Sequence, residues 1–404
     1  MKAILLAGGY GTRMFPLTLR TPKPMLPIAG RPVLQHTIEL LVLAGISDIV
    51  ISLKPNQRKI EGYFGTGKGF GAKISYVYEP ESGEEGKLGS VGAINYVFSR
   101  IVANDDFLVI GGDNYIYGLN IADFQRAHSA KAASATIALF DLDDPEQVRH
   151  FGVAKLDAFG RITSFQEKPA PGKALSTLAS TAVYALDRAF VEKHLPSYVA
   201  SKHAKGQKAD KIGDLWEHFV ADLHIAGHPF EGIWGDIGSF EGYLETNRKS
   251  MAARLSEGGK AVSIISPKAS IAKSARIIAP VIIEKGCEVG EGSVIGPFAH
   301  ILHDAVIGDN CKVTNSIVFE RSEIGAGAIV EDSIIDGKCA IGTDARVGGF
   351  SVIGFNSNIG KGSEVFASKI YPGISIKAKS RIKGRMLNEV LPSSPEMADS
   401  CYWL

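Results

Sequence analysis

Two cations near the start of the chain carry the strongest chemical signal. Arg13 follows the glycines Gly8, Gly9 and Gly11, and Lys23 stands further on between Pro22 and Pro24. Glycines let backbone N–H groups approach an anion closely. Arginine adds a planar, permanently charged fork. The prolines restrict the segment that presents the compact charge of Lys23. Together these residues have the physics of a phosphate site. The loop is not a dinucleotide fingerprint, because Met14 stands where a third glycine is required, and it lacks the G-K-[ST] of a P-loop. Taken alone, a glycine-rich turn with a surface Arg and Lys would be the better explanation.

The surrounding elements place this loop. "KAILLA" (Lys2–Ala7) is a short apolar run ended by glycine, as a buried parallel strand would be. "RPVLQHTIELLVLAG" starts at a proline, keeps helical spacing and stops at Gly45. "DIVISL", "AKISYVYE" and "DFLVIGGD" read as further strands, and "SVGAINYVFSRI" as a helix. This alternation predicts βαβ units and a Rossmann-like, mostly parallel sheet of class α/β. Ligands bind beyond the carboxyl ends of such strands. The opening loop and Asp113, which closes "DFLVIGGD", therefore belong to one edge.

Composition narrows the field. At 404 residues the chain exceeds what one core usually spans, so two domains are expected. Lys plus Arg number 44 against 43 Asp plus Glu, which supplies no electrostatic reason for a nucleic-acid or anionic-membrane partner. No apolar run approaches the roughly 18 residues of a spanning helix, and the first residues read as a strand rather than a signal peptide. A cytoplasmic location is expected. Cys287, Cys311, Cys339 and Cys401 form no C-x-x-C pair, which weakens zinc and thioredoxin-like readings.

Five ordered segments over about residues 1–250 resemble the sugar-1-phosphate nucleotidyltransferases that carry a hexapeptide-repeat tail, such as the GDP-mannose pyrophosphorylases. They are "GGYGTRMFPLT…PKP", "KLGSVGAI", "VIGGD", "FGVAKLDAFGRITSFQEKP" and "IWGDIGSFEGYLETN". The resemblance implies transfer of a nucleotidyl group from a nucleoside triphosphate to a sugar-1-phosphate, with pyrophosphate leaving. It implies Leu6, Ala7, Gly8, Gly9, Gly11, Thr12, Glu79 and Gly89 at the nucleotide, with Arg13 and Lys23 as catalytic cations. Gly152, Glu167, Lys168 and Ser180 would hold the sugar phosphate, and Asp113 and Asp236 would hold Mg²⁺.

Two departures from that pattern stand out. "STAVY" puts Ser180 and Ala182 where the family has Asn and Gly beside the sugar, which narrows the pocket and shortens the reach. This raises the alternative of a regulatory or assembly subunit without turnover. The stretch "EPESGEEGKLG" is longer than usual, and Glu79, Glu84 or Glu85 could contact the base. A carboxylate there suits guanine, whose N1–H and N2–H₂ are donors. GTP with mannose-1-phosphate is therefore slightly preferred, and glucose-1-phosphate with UTP or dTTP comes next.

The C-terminal part is a repeat. From Ile265 to Ile382 an Ile or Val recurs every six residues, with three steps of five, giving 21 hexads. This is the hexapeptide pattern of a left-handed parallel β-helix with seven coils, expected over 262–384 after a catalytic domain (1–250) and a linker (251–261). Cys287, Cys311 and Cys339 each fall two residues before a repeat aliphatic, where Ala and Ser otherwise stand, so they read as core packing. His300 precedes an inward Ile301 and is expected to face outward. The tail 385–404 is apolar enough to pack on the helix end or on a neighbour, and a homo-oligomer through the β-helix is expected.

Overall fold

In a computed structural model, residues 1–80, 88–101 and 105–388 are described. Glu84 and Glu85, Lys87, Cys401 and the tail beyond residue 388 lie outside the described residues. The chain separates into two compact units that do not follow the sequence order. One is Met1–Gly9 with Pro32–Trp234; the other is Tyr10–Arg31 with the chain from Gly235 onward.

The first unit is built on a nine-stranded sheet. Its strands are β1 (Lys2–Leu6), β2 (Asp48–Leu53), β3 (Lys73–Tyr78), β4 (Phe107–Gly111), β5 (Ala135–Asp141), β6 (Gly152–Leu156), β7 (Ile162–Glu167), β8 (Leu178–Leu186) and β9 (Ile225–Phe230). The order is β7-β6-β8-β4-β1-β2-β3, with β5 on β8 and β9 on β5. From β4 to β3 every pair is parallel, as the alternation predicts. Beyond β4 the sheet is mixed, because β8 runs antiparallel to β4, β5 and β6. The helix Gly89–Phe98 buries Val91, Ile94, Val97 and Phe98 in the core, which also contains Phe107, Val109 and Trp216. Such burial is the main stabilising term, at about 25 cal/mol per Å² of apolar area.

The second unit contains the left-handed β-helix. Its short parallel strands stack in three sheets of eight, seven and seven. The coil advances by 18 residues where Ile264 pairs with Ile282, and by 17 where His300 pairs with Ile317. Each shortened step removes one residue from a corner and keeps the inward aliphatics in register. One strand, Met386–Leu387, extends the repeat beyond Ile382. The helix Phe240–Arg254 and a hairpin, Ser256–Glu257 with Lys260–Ala261, precede the coils.

The buried cysteines lie inside the coils, and each thiol faces a carbonyl of the next coil: Leu302, Gly325 and Gly354 at 3.0, 3.2 and 3.1 Å. Ser293 and Ser322 reach Gly308 and Asp336 carbonyls in the same way at 2.7 Å. The position thus favours a small side chain, and a thiol or hydroxyl there donates to the next coil.

His300, expected to face outward, is fully buried, with Nε2 2.9 Å from Glu284 Oε1. Its sheet carries Ile282, Ile317, Ile334 and Val352 at the equivalent outer positions, and all are buried. That apolar outer face belongs to the sheet nearest Gly30, where an added Cβ would lie 3.3 Å from Ile282. Loop 10–31 therefore approaches the coils on this face.

One buried carboxyl carries a pH prediction. Asp336 is fully buried, Gly337 N donates to its Oδ1 at 2.7 Å, and Oδ2 has no hydrogen-bond partner among the described residues. Burial pushes its pKa from 3.8 to about 6 against the opposing pull of Gly337 N and Arg20. The folded chain holds this proton more tightly than the unfolded chain. Its contribution is complete below about pH 4 and is lost as the pH rises through about 6. Asp336→Asn should therefore gain about 3 kcal/mol on wild type between pH 4 and pH 8. Denaturation midpoints at both pH values measure this, and parallel curves for the two proteins would contradict it.

Candidate active site

In the first unit, the parallel strands end at one edge and bring their following residues together. Ala7 N donates to Ser52 O at 2.9 Å and Gly112 N to Leu6 O at 2.8 Å. The carboxylate of Glu79 lies against Gly8, where an added Cβ would be 2.2 Å from Oε1. Glu79 is buried, accepts from Ser52 Oγ at 2.9 Å and has Lys54 Nζ at 3.9 Å. Burial raises its pKa, opposed by the Ser52 hydrogen bond and the Lys54 charge. Gln57 Nε2 donates to Gly9 O at 3.0 Å, while its Oε1 accepts from Lys54 N at 2.9 Å. Ser52, Lys54 and Gln57 were not singled out in the sequence. Their signal was "SLKPNQ" at the end of the second strand, on the edge already assigned to ligands.

Asp113 follows β4 in the turn to the strand Asn114–Tyr117. Asn114 Nδ2 donates to its Oδ1 at 3.2 Å, and Asn114 Oδ1 accepts from Trp234 Nε1 at 3.0 Å. Gly89 sits at φ 70° with no room for a side chain, since a Cβ would be 2.3 Å from Asp210 Cα. Ser90 N donates to Asp210 O at 2.8 Å, which fixes the start of that helix.

Glu167 closes β7 between two glycines. A Cβ at Gly152 would lie 2.9 Å from Oε2, and one at Gly213 only 2.0 Å from it. Gly213 opens the helix Ile212–Phe219, whose N-terminal end favours an anion. It is a further residue missed in the sequence, where only the glycine at a helix start could have signalled it. Burial raises the Glu167 pKa, while Lys168 and Lys211 oppose the rise. Glu167 N donates to Glu217 Oε1 at 2.7 Å.

Ser180 Oγ lies 3.3 Å from Tyr184 OH, a phenol pushed up to about 12 by burial. The pairing of β8 with β5 is irregular between these two residues, and Ala182 within the irregularity has φ 58°. That conformation costs a non-glycine residue about 1–2 kcal/mol. The methyl also points toward Gly111, where a Cβ would be 3.2 Å away. Ala182→Gly is expected to stabilise the chain by about 1 kcal/mol after the entropic cost of glycine. A denaturation midpoint equal to or below wild type would contradict this.

In the second unit, Gly11 adopts φ 63°, Thr18 Oγ1 donates to Gly11 O at 2.7 Å, and Thr12–Met14 forms one tight turn. Arg13 is exposed in that turn, whereas Lys23 is buried. Lys23 Nζ lies 3.1 Å from Asp236 Oδ1. Gly238 separates the remaining charges: a Cβ there would be 3.0 Å from Asp236 Oδ2 and 3.3 Å from Arg13 Nη2. Asp236 thus stands between Lys23 and Arg13, with Gly238, the final letter of "WGDIG", on the Arg13 side. Tyr243 OH donates to Pro27 O at 2.8 Å, and Ala29 N to Asn247 Oδ1 at 2.9 Å, binding loop 10–31 to the helix Phe240–Arg254.

Among the described residues no three His, Cys, Asp or Glu side chains cluster to enclose a metal. Asp113 and Asp236 each offer carboxylate oxygens, hard donors of the kind that Mg²⁺ takes. No helix among the described residues is long and apolar enough to cross a membrane.

The nucleotidyl transferase family model matches residues 2–252, and that of the GMPPB C-terminal domain matches 277–386. The UTP–glucose-1-phosphate uridylyltransferase of Synechocystis sp. is 32% identical over 376 residues, covering 86% of this chain and 90% of that protein. A probable mannose-1-phosphate guanylyltransferase of Oryza sativa subsp. japonica is 26% identical, with 94% and 98% covered. The crystal structure of a putative glucose-1-phosphate thymidylyltransferase from Bacillus anthracis superposes with a TM-score of 0.54 at 27% identity, over 64% of this chain and 98% of that one.

Proposed function

The chain belongs to the nucleotidyl transferase family, and from that premise we propose that it joins a nucleoside triphosphate to a sugar-1-phosphate, releasing pyrophosphate. The observation that carries this reading is the approach of Lys23 to Asp236, with Arg13 across Gly238 from the same carboxylate. A sugar-phosphate oxygen attacks the α-phosphorus, a new P–O bond forms, and the α–β bridging oxygen leaves with its electron pair on pyrophosphate. Two polyanions meet, so the protein must supply positive charge and alignment rather than a covalent intermediate. Lys23 serves the α-phosphate and Arg13 the leaving pyrophosphate. Backbone N–H groups of Gly9, Gly11 and Thr12 cradle the triphosphate, in line with the close approach that glycine allows. Glu167 accepts from sugar hydroxyls, and Lys168 offsets the sugar phosphate. Asp113 and Asp236 would hold Mg²⁺, which would offset phosphate charge.

GTP with mannose-1-phosphate is the first pair we propose. Glu79, a carboxylate lying against Gly8, suits the two donors of guanine. The likeness to a probable mannose-1-phosphate guanylyltransferase of Oryza sativa supports the same pair. The identity to the Synechocystis uridylyltransferase supports UTP or dTTP with glucose-1-phosphate as the second. Pyrophosphate release should be measured for the common triphosphates against glucose-1-, mannose-1- and N-acetylglucosamine-1-phosphate with Mg²⁺. Release from no pair would leave the regulatory or assembly subunit as the reading. Fastest turnover of UTP with glucose-1-phosphate would reverse the preference. We also propose a cytoplasmic homo-oligomer assembled through the β-helix, supported by the exposed Ile264 and Ile265 on its first strand. A monomer by light scattering at micromolar concentration would overturn that assembly.

A further inference from the structure

We propose that the β-helix positions the phosphate loop directly: a notch at one corner of its coils receives the guanidinium of Arg20 and so fixes the loop that carries Arg13 and Lys23. The inference rests on the roles just given to those two cations. It makes Arg20 a positioning residue and gives the repeat domain a part in the reaction.

The notch is built by three consecutive coils. Glu320, Gly337 and Phe355 stand two residues after the inward Val318, Ile335 and Ile353. The rungs are stacked, with Lys338 N donating to Glu320 O and Asn356 N to Gly337 O, each at 3.0 Å. Glu320 and Phe355 thus form two walls, and the missing side chain of Gly337 leaves the gap between them. Arg20 occupies it. Its Nη2 lies 2.6 Å from Glu320 Oε1, and its Cζ lies 4.0 Å from the centre of the Phe355 ring. Asp336 lines the gap, with Oδ1 3.7 Å from Arg20 Nη1.

Gly337 has no backbone reason to be glycine. It is not among the positive-φ residues, although its corner successors Arg321, Lys338 and Asn356 all are. A Cβ there would lie 2.7 Å from Arg20 Nη1 and 2.9 Å from Glu320 Oε1. The space is therefore the guanidinium's. The shape suits arginine, because a planar fork can stack on an aromatic face while pairing with carboxylates at its edge, and a lysine ammonium cannot do both.

Arg20 also stands at a place where an anchor matters. Thr18 holds Gly11 O within the loop, and Tyr243 and Asn247 hold its far end at Pro27 and Ala29. Between those ties, Arg20 seats the middle of the loop on the coils. A displacement of about 1 Å at a phosphate-aligning cation can cost 10²-fold in rate.

The test uses the full chain and two substitutions that act from opposite sides. Arg20→Ala removes the anchor, and Gly337→Ala fills the notch while leaving Arg20 in place. Each should lower kcat by about 10-fold or more at unchanged KM for both substrates. Each should also speed amide hydrogen exchange over residues 11–21 by about 10-fold, with exchange in β1 and β4 unchanged. Arg20→Lys should recover only part of the rate. Wild-type kcat with wild-type loop protection in both variants would overturn the proposal. So would a loosened loop with wild-type kcat, which would make Arg20 an anchor without a positioning role. Should the unaltered chain turn over no substrate pair, the functional reading fails, and the exchange measurement still decides whether the notch holds the loop.

Discussion

Replacing Lys23 by methionine is expected to lower turnover by about 10³-fold while the chain stays folded. Methionine keeps most of the stem that is buried at this position and removes only the ammonium. A preorganised charge aimed at a developing anion is worth about 10²–10³ in rate by itself. Lys23 is the better placed of the two loop cations for that effect. It is nearly closed off from solvent, where water screens its field least, whereas Arg13 is exposed. Loss of the ammonium leaves Asp236 without this partner, but that carboxylate is 27% exposed and can be hydrated. The melting temperature should therefore fall by only a few degrees. Pyrophosphate release at saturating substrate decides the matter. A loss of less than 10-fold would remove Lys23 from the reacting phosphate.

Asp236→Asn should cost at least 10²-fold, again without unfolding. The amide preserves shape beside Gly238, but it removes a charge that now holds Lys23 at 3.1 Å. It also weakens the Mg²⁺ position proposed for the pair of aspartates. Near-normal turnover at saturating Mg²⁺ would place the metal elsewhere. Because Lys23 and Asp236 are in contact, the double variant should lose much less than the product of the single losses. Multiplying effects would mean that the two residues act independently.

Much of this protein was legible from residue spacing. The strand ending at Gly8 and the strand ending near Asp113 lie on one edge because parallel strands must share their carboxyl ends. The β-helix was equally plain. An aliphatic every six residues can be buried only by a coil with three faces, and the steps of five reappear as the 17-residue coils. The antiparallel half of the sheet was not read, since β6 to β8 pair across connections without the strand–helix alternation that flags parallel neighbours.

Side-chain surroundings were harder to read, and His300 shows why. Alternation says which way a residue points relative to its own coil, but not what covers that side. The cover on this sheet is a property of the whole second unit, although a row of outer Ile and Val at one face marked it. Gly213 and Gly238 were missed for a related reason. Gly213 is glycine because Glu167, from a distant part of the chain, occupies the space of its Cβ, and Gly238 leaves room between Asp236 and the distant Arg13.

The sequence by itself determined the two architectures, because hydrophobic period and strand–helix alternation are local and each admits few packings. It also determined the chemical type of the site, since glycines, cations and carboxylates have their properties wherever they stand. Only the tertiary structure decided which of them meet. It joined Lys23 to Asp236 across 213 residues and Arg20 to Glu320 across 300. It also assigned loop 10–31 to the unit of the β-helix rather than to that of the strand preceding it. Contacts of this kind leave no period in the sequence, because they arise where separately specified surfaces close on each other and only their combined shape and charge select the partners.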